Sequence, residues 1–174
     1  IQLQEVTADT KWLMKAKLLT ELVIENFSDT ETPFFFYTPA GQQDIIVRKK
    51  EMYDGAIPSG NSVMADNLYR LALLFDKNNW KQKSLEMISS LGKAIIRYPN
   101  SFGNWACLLQ EIISGTNEIT VVGENFSTIH REILEKYIPH KVLMAAATGS
   151  ETFPLLTDKS VHRSTTIFLC RNYT

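Results

Sequence analysis

Three carboxylates lie close together in the middle of the chain, and a pair of carboxylates is what most glycosidases use to cleave their substrates. Asp44, Glu51 and Asp54 are the candidates. In such a pair one carboxyl group protonates the leaving oxygen and the other acts as base or nucleophile. Acidic side chains in a segment this polar are mostly solvated, so their spacing alone is weak support for catalysis.

The stretch at residues 54–62, DGAIPSGNS, brings backbone-shaping and hydrogen-bonding residues together just before an apolar helical pattern. Its glycines permit positive φ and its proline stiffens the chain. Ser59 and Asn61 are favoured helix N-cap residues. One interpretation is a capped helix start in which Asp54 binds backbone amides. The other is the wall of a site, because free N–H groups at a helix N-terminus suit an anionic or hydroxyl-rich ligand.

The remaining chemistry-bearing residues do not form a complete catalytic set. The histidines His130, His140 and His162 lack the spacing of metal ligands. The sequence contains no G-x-S-x-G, P-loop or H-E-x-x-H motif, and the single glycine of EITVVG does not make a dinucleotide fingerprint. We therefore expect no cofactor and no metal site, and whether the chain contributes to an enzyme stays open.

Aromatic and sulfur side chains in this sequence are predicted to be structural. Trp12, Trp80 and Trp105 occupy apolar positions of helical patterns, which favours core packing over stacking on a sugar. Cys107 lies in the apolar context NWACLL and is predicted to be an inert core thiol. His130, beside an arginine on a predicted helix, is expected on a solvated face.

The charge balance excludes two classes of partner. The chain has 174 residues, with 18 basic and 19 acidic side chains and a formal net charge of -1. This balance gives no overall attraction to nucleic acid or to an anionic membrane. No apolar run approaches the roughly 18 residues of a membrane span, and the first residues do not resemble a secretory leader. We therefore expect a cytoplasmic protein.

Helical and strand periodicities predict a mainly α fold with a small α/β appendage. Amphipathic patterns joined by short polar links predict antiparallel helical hairpins. Aromatic and β-branched residues around TPAGQQ predict a β-hairpin at residues 33–47. The predicted helices cover residues 8–27, 63–75, 78–98 and 102–113.

The pattern changes near residue 117, where a strand, a helix and a second strand follow one another. Residues 118–123 and 141–147 are the strand candidates, and residues 125–139 are the helix between them. This order predicts a βαβ unit with a right-handed crossover. Residues 165–170 are a further strand candidate for the same sheet. The sequence thus predicts a helical part at 1–116 and a small α/β part at 117–174.

Several of these segments together resemble one family. YDGAIPSGNS, RYPNSFGNWACLLQ, EITVVG and the terminal FLCRNYT are similar to the thioredoxin-domain-containing proteins related to the spermatogenesis-associated protein. The resemblance covers nearly the whole chain. It implies a thioredoxin-like domain, absent here, followed by a helical region similar to the six-hairpin α/α toroids of glycosidases and N-acylglucosamine 2-epimerases. This chain would then be the last part, a partial toroid.

The resemblance also implies roles for individual residues. Loops at one mouth of such a toroid line the ligand cavity, so the tentative ligand-binding residues are Arg48, Tyr53, Asp54, Ser59 and Asn61. In the longer protein Cys170 would belong to a closely spaced cysteine pair with a redox or metal role. The redox motif of the thioredoxin-like domain is not in this chain, so its activity does not transfer.

Two functions therefore remain open. The chain is either a part of an uncharacterised protein that contributes polar residues to a carbohydrate-type cavity, or a structural or protein-interaction module without a small-molecule site. An arc cut from a larger ring would expose an apolar seam. The expected partners are the remaining part of its own longer chain, a second copy of this chain, and a carbohydrate ligand, with neither nucleic acid nor membrane.

Overall fold

The computed structural model describes residues 1–159 and 164–171. Helices precede a small sheet, as the sequence predicts, and the fold is mainly α with a small α/β part. The elements are α1 (Gln2–Thr7), α2 (Lys11–Phe27), α3 (Gly60–Phe75), α4 (Asn78–Arg97), α5 (Gly103–Ser114), β1 (Asn117–Val122), α6 (Phe126–Leu134), β2 (Lys141–Ala146) and β3 (Thr166–Cys170). The short helix α1 was not predicted.

Helices α3 and α4 form the antiparallel hairpin at the centre of the helical layer. Asp76 ends α3 in a left-handed conformation with φ of 51°, which turns the chain back within two residues. The Ser84 hydroxyl on α4 donates to the Ala65 carbonyl on α3 at 2.8 Å, so the helices approach closely. Helix α5 packs on both and buries Trp105 completely.

The sheet confirms the predicted βαβ unit and the added strand. Its order is β2-β1-β3, with β1 and β2 parallel and β3 antiparallel to β1. Helix α6 makes the crossover and covers one face, where Val121 and Leu143 are buried beneath it. The other face, including Val122 and Met144, packs on the helical layer within one continuous hydrophobic core. Residues of the two predicted parts therefore share a core.

Helix α1 closes one edge of this sheet. The Gln4 amide is buried and donates to the Leu143 carbonyl of β2 at 3.0 Å. His130 on α6 bonds the Glu5 carbonyl of α1 at 2.7 Å through Nε2. The prediction that His130 is solvated is therefore wrong, because α1 covers the helix face on which it lies. A side-chain partner on an edge strand also blocks unwanted strand pairing.

The predicted β-hairpin at residues 33–47 is wrong. All of these residues are described, and they form turns and bends with one isolated bridge, Ser28 to Phe35. The backbone N–H and carbonyl of Phe35 both pair with the Asn61 amide, at 2.8 and 2.9 Å, instead of with a neighbouring strand. Because the Asn61 side chain satisfies the backbone of Phe35, Phe34 and Phe35 are buried in a loop and not in a strand.

Two glycines are expected to respond to alanine in opposite directions. A Cβ on Gly123, where φ is 143°, would lie 2.5 Å from the Thr165 Cα, so Gly123→Ala should destabilise the fold by about 1–3 kcal/mol. Gly92, inside α4, has nothing within 4 Å of a Cβ, so Gly92→Ala should stabilise by about 0.5–1 kcal/mol. Urea unfolding of both variants measures the difference, and equal midpoints would contradict this account of the strand-to-helix turn.

Candidate functional site

The Asp54 carboxylate joins the N-termini of α3 and α5. Its Oδ1 accepts from the Ser59 N–H at 2.8 Å and from the Ser62 hydroxyl at 2.6 Å. Its Oδ2 accepts from the backbone N–H groups of Asn104 at 2.8 Å and Trp105 at 3.4 Å. The residue preceding α5, Phe102, offers no side-chain cap, so Asp54 supplies one from a distant part of the sequence.

The residues around Asp54 are fixed by the same two helix starts. Ser59 is the N-cap of α3 and its hydroxyl accepts from the Ser62 N–H at 3.1 Å. The Met52 carbonyl accepts from the Trp105 indole N–H at 2.8 Å and from the Ser59 hydroxyl at 3.3 Å. The capped-start interpretation of the stretch at residues 54–62 is therefore what the contacts show.

Asn61, Arg48 and Tyr53 lie around the same end of the helical layer but have different contacts. The buried Asn61 amide binds the Phe35 backbone and also donates to the Glu51 carbonyl at 3.0 Å. The Arg48 guanidinium lies over the Phe36 ring at 4.0 Å and donates to the Thr38 carbonyl at 2.6 Å. Tyr53 is exposed and its ring contacts that of Phe102 at 5.1 Å between centroids.

The structure therefore brings Asp54, Ser59 and Asn61 together, with most of their polar atoms occupied by protein groups. The described residues enclose several cavities. Of the five predicted ligand residues, Asn61 lines one of three such cavities, and the other four line none of the three. Their role in ligand binding stays a prediction. The same contacts of Asp54, Ser59 and Asn61 hold the backbone that forms the walls of two neighbouring cavities.

A polar groove of about 740 Å³ opens between α1, α2 and α3. We call it the polar groove. Helix α3 contributes a polar stripe at one-turn spacing, and the first turn of α5 contributes Asn104. Apolar side chains also line it, those of Ile1, Leu3, Ala16, Leu19 and Val63. The polar and aromatic side chains of the lining include Glu5, Trp12, Lys15, Asp66, Asn67, Arg70 and Asn104.

Arg70 is held rigidly at the floor of the polar groove. Its guanidinium donates to Asp66 at 2.9 Å, to Glu111 at 2.8 Å and to the Lys141 carbonyl at 3.1 Å. Burial acts to lower the pKa of Arg70, but the charges of Asp66, Glu111 and Glu5 and the hydrogen bond to Asp66 together outweigh it, so its pKa is raised and it stays charged. The buried Glu111 carboxylate also accepts from the Thr116 hydroxyl at 3.0 Å.

The polar groove also holds side chains with unused hydrogen-bonding capacity. Among the described residues, the side-chain amides of Asn67 and Asn104 have no protein partner, and each is only partly buried. The acidic side chains of the lining, Glu5 and Asp66, are matched by the basic Lys15 and Arg70. A balanced lining with free amides suits a neutral, hydrogen-bonding ligand better than an anion.

This groove was not predicted, because only the apolar face of α3 was considered and its polar face was left without a role. Asp66, Asn67 and Arg70 interrupt the apolar pattern at helical spacing, and that interruption is the signal that would have located it. The core assignment is confirmed for Trp80 and Trp105 and is wrong for Trp12, which is half-buried and lines the polar groove.

An apolar pocket of about 340 Å³ adjoins the polar groove. We call it the apolar pocket. Val63 and Asn67 line both cavities, so the two lie side by side along α3. The remaining lining consists of residues from the end of α2, the loop that replaces the predicted hairpin, and the start of α3: Val23, Phe27, Phe35, Phe36, Tyr37, Gly60, Asn61 and Met64.

A third cavity, of about 760 Å³, lies at the carboxyl ends of β1 and β2. Its lining includes the acidic Glu124, Glu151 and Asp158 against the basic Lys159. This excess of carboxylates disfavours an anion, and the Asn125 N–H at the start of α6 already donates to the Thr165 hydroxyl at 3.1 Å. We therefore place no function in this cavity.

The cysteines and histidines do not assemble into a site within the described part of the chain. Cys170 is partly buried and its sulfur lies 3.6 Å from the Lys159 ammonium, while Cys107 is exposed, so its core assignment is wrong. His140 lies 3.8 Å from Glu111, and His162 and the end of CRNYT lie outside the described residues. Residues 1–159 and 164–171 contain no group of three or more side chains placed to hold a metal ion.

Within the same residues, no helix combines the length and the apolar character that crossing a membrane requires. The cytoplasmic location stays a prediction, as does the redox or metal role of Cys170.

Replacing Asp54 tests whether its carboxylate caps the starts of both helices. We expect Asp54→Asn to destabilise the fold by about 2 kcal/mol, because charge-assisted bonds to both helix starts are weakened. Asp44→Asn is the matched control, since Asp44 is exposed and makes no such bonds in the described structure. Denaturant unfolding measures both, and equal stability of the two variants would contradict the bridge.

Comparison with known proteins finds similarity to spermatogenesis-associated protein 20 over nearly the whole chain. Spermatogenesis-associated protein 20 of Rattus norvegicus is 26% identical over 183 residues, covering 99% of this chain and 23% of the rat protein. The human protein of that name is 25% identical over the same length and coverage. No family model matches the chain. The chain thus spans about 23% of the length of these curated relatives, to which it is similar from end to end.

Proposed function

We propose that the chain binds a neutral, polyhydroxylated ligand of the carbohydrate type in the polar groove. The observation that carries this proposal is the combination of a half-buried indole, a fixed guanidinium and unpartnered amides around one groove. Trp12, Arg70 and Asn67 supply these groups. Among the described residues the groove holds no nucleophile paired with a base, so the proposed activity is binding and not a complete reaction.

The indole of Trp12 supports a sugar ligand over a simple polar one. An aromatic ring offers an apolar face, on which the C–H groups of a pyranose ring can lie, and it loses little conformational freedom on binding. The Lys11 ammonium lies over one face of this ring, 5.2 Å from its centroid, so a sugar would stack on the opposite face or displace the lysine. The volume of about 740 Å³ is within the range of small-molecule sites.

Hydrogen-bonding groups on the other walls complement the hydroxyls of such a ligand. The Asn67 and Asn104 amides each offer two donors and an acceptor, and Asp66 uses one carboxylate oxygen on Arg70. Sites that bind hydroxyls in this way distinguish a sugar from an apolar molecule of the same size.

In this proposal the sequence-predicted residues act mainly by positioning. Asp54 binds the Asn104 N–H and so sets where the first turn of α5 meets the groove. Ser59 caps α3, which carries the polar stripe. We retain as proposals that the helices form an arc of an α/α toroid, that the longer protein has a thioredoxin-like domain, and that it is cytoplasmic.

Sugar binding can be tested by ligand-detected NMR and calorimetry with glucose, N-acetylglucosamine and glucose 6-phosphate. We expect the neutral sugars to bind with dissociation constants near millimolar, about -4 kcal/mol, with no gain from the phosphate. Trp12→Ala should weaken binding about fivefold, the equivalent of an aromatic contact of roughly 1 kcal/mol.

Asn67→Ala should also weaken binding, whereas Asn79→Ala is the matched control, because Asn79 is exposed on α4 and lies outside the groove. Tighter binding of the phosphate, or the same affinity in Trp12→Ala, Asn67→Ala and Asn79→Ala, would contradict a neutral sugar site.

A second function is supported by an exposed apolar stripe on α2. Met14, Leu18 and Leu22 follow one another at four-residue spacing and are 47%, 57% and 44% exposed. We propose that this stripe is covered by the remaining part of a longer chain or by a second copy of this one. The chain would then also serve as a structural or interaction module.

The stripe predicts weak self-association of the isolated chain. Sedimentation velocity at tens of micromolar and above should show a concentration-dependent shift toward a dimer. Leu18→Glu should abolish that shift by placing a charge in the contact, whereas Ile96→Glu on α4, at an exposed apolar site outside the stripe, should not. A monomer at every concentration would contradict self-association.

A further inference from the structure

The apolar pocket is large enough to hold part of a ligand, and its wall is held in place by backbone hydrogen bonds. Aromatic side chains supply much of its wall, and its volume of about 340 Å³ exceeds the roughly 150 Å³ that suffices to hold a benzene ring. Its wall is also built from fixed parts: the Phe36 N–H donates to the Phe27 carbonyl at 2.8 Å and the Tyr37 N–H donates to the Lys49 carbonyl at 2.9 Å.

Two cations contact an aromatic side chain in the loop wall of this pocket. Arg48 lies 4.0 Å and Lys50 4.9 Å from the centroid of the Phe36 ring. Lys50 also pairs with Asp29, and Lys50 and Thr32 together hold the pKa of Asp29 well below its usual range. Cation–ring contacts of this kind restrict the motion of the Phe36 side chain.

The Asn61 amide in the wall of the pocket is already used. Asn61 lines the pocket, yet its amide oxygen accepts from Phe35 and its amide nitrogen donates to the carbonyls of Phe35 and Glu51. A ligand group entering here therefore meets a surface that behaves as apolar. Asn67 is different: its amide has no protein partner in the described structure and stands where the two cavities meet.

We propose that the ligand is amphipathic: a sugar whose ring occupies the polar groove and whose apolar aryl or alkyl substituent occupies the apolar pocket. This inference rests on the proposed function and specifies its ligand class. The adjacency of the cavities, which share Val63 and Asn67 in their linings, carries it, because one molecule with a sugar and an attached ring can reach both environments. Asn67 then binds the atoms at the junction.

The test compares methyl β-glucoside, phenyl β-glucoside and benzyl alcohol as ligands of the full chain, by calorimetry and NMR. Phenyl β-glucoside is expected to bind about tenfold more tightly than methyl β-glucoside, a difference of about 1.4 kcal/mol. Benzyl alcohol, which lacks the sugar, is expected to bind weakly and to compete with phenyl β-glucoside.

A cavity-filling variant provides the control for position. A Cβ on Gly60 meets nothing within 4 Å, and Gly60 lines the apolar pocket, so Gly60→Leu places a side chain there without removing a wall. The ratio of phenyl to methyl glucoside affinity should fall from about ten to about one. Gly92→Leu, at an equally open glycine on α4, should keep the wild-type ratio.

The outcomes separate this inference from the function on which it rests. Binding of methyl β-glucoside with no gain from the phenyl group would overturn the inference and leave the sugar site standing. Binding of benzyl alcohol alone would overturn both the sugar site and its amphipathic ligand. A tenfold preference that survives in Gly60→Leu would overturn the assignment of the substituent to this pocket.

Discussion

The structure depends on one carboxylate that caps two helices at once. Asp54 lies between the starts of α3 and α5, and each of its oxygens accepts two hydrogen bonds. A helix start carries unpaired N–H groups and a partial positive charge, so an anion between two starts draws them together. That contact joins the starts of α3 and α5 and holds the backbone of Asn104 beside the polar groove.

The two cavities follow from how the chain between α2 and α3 is held. Residues 28–59 do not form a hairpin that would fill the space beside α3. They are anchored instead by Asn61 on the Phe35 backbone and by Lys50 on Asp29. Helix α2 therefore contacts α3 over only a short length, and the face of α3 that carries Val63, Asn67 and Arg70 stays open.

Periodicity predicted most of this fold because it reports which faces are buried. The helices at 60–75, 78–97 and 103–114 and the βαβ unit were predicted to within a few residues at most boundaries. Periodicity failed where side chains satisfy the backbone, as at Phe35, whose aromatic neighbours predict a strand. It also missed α1, which is too short for a helical period to be recognised and is held by tertiary contacts such as that of Gln4.

The candidate site was harder to predict, because residue types do not tell a cap from a ligand contact. The string DGAIPSGNS predicts both, and four donors, two of them from the distant start of α5, decide for the cap at Asp54. Arg70 has a structural explanation too, since removing it would leave the buried Glu111 without its charge partner. Asn67 and Trp12 have no such explanation: their polar groups bond nothing among the described residues, and neither belongs to the core. Protein contacts therefore account for Asp54, Ser59 and Asn61. The proposed ligand site depends instead on Trp12 and on the free amides of Asn67 and Asn104, with the Arg70 guanidinium fixed beside them.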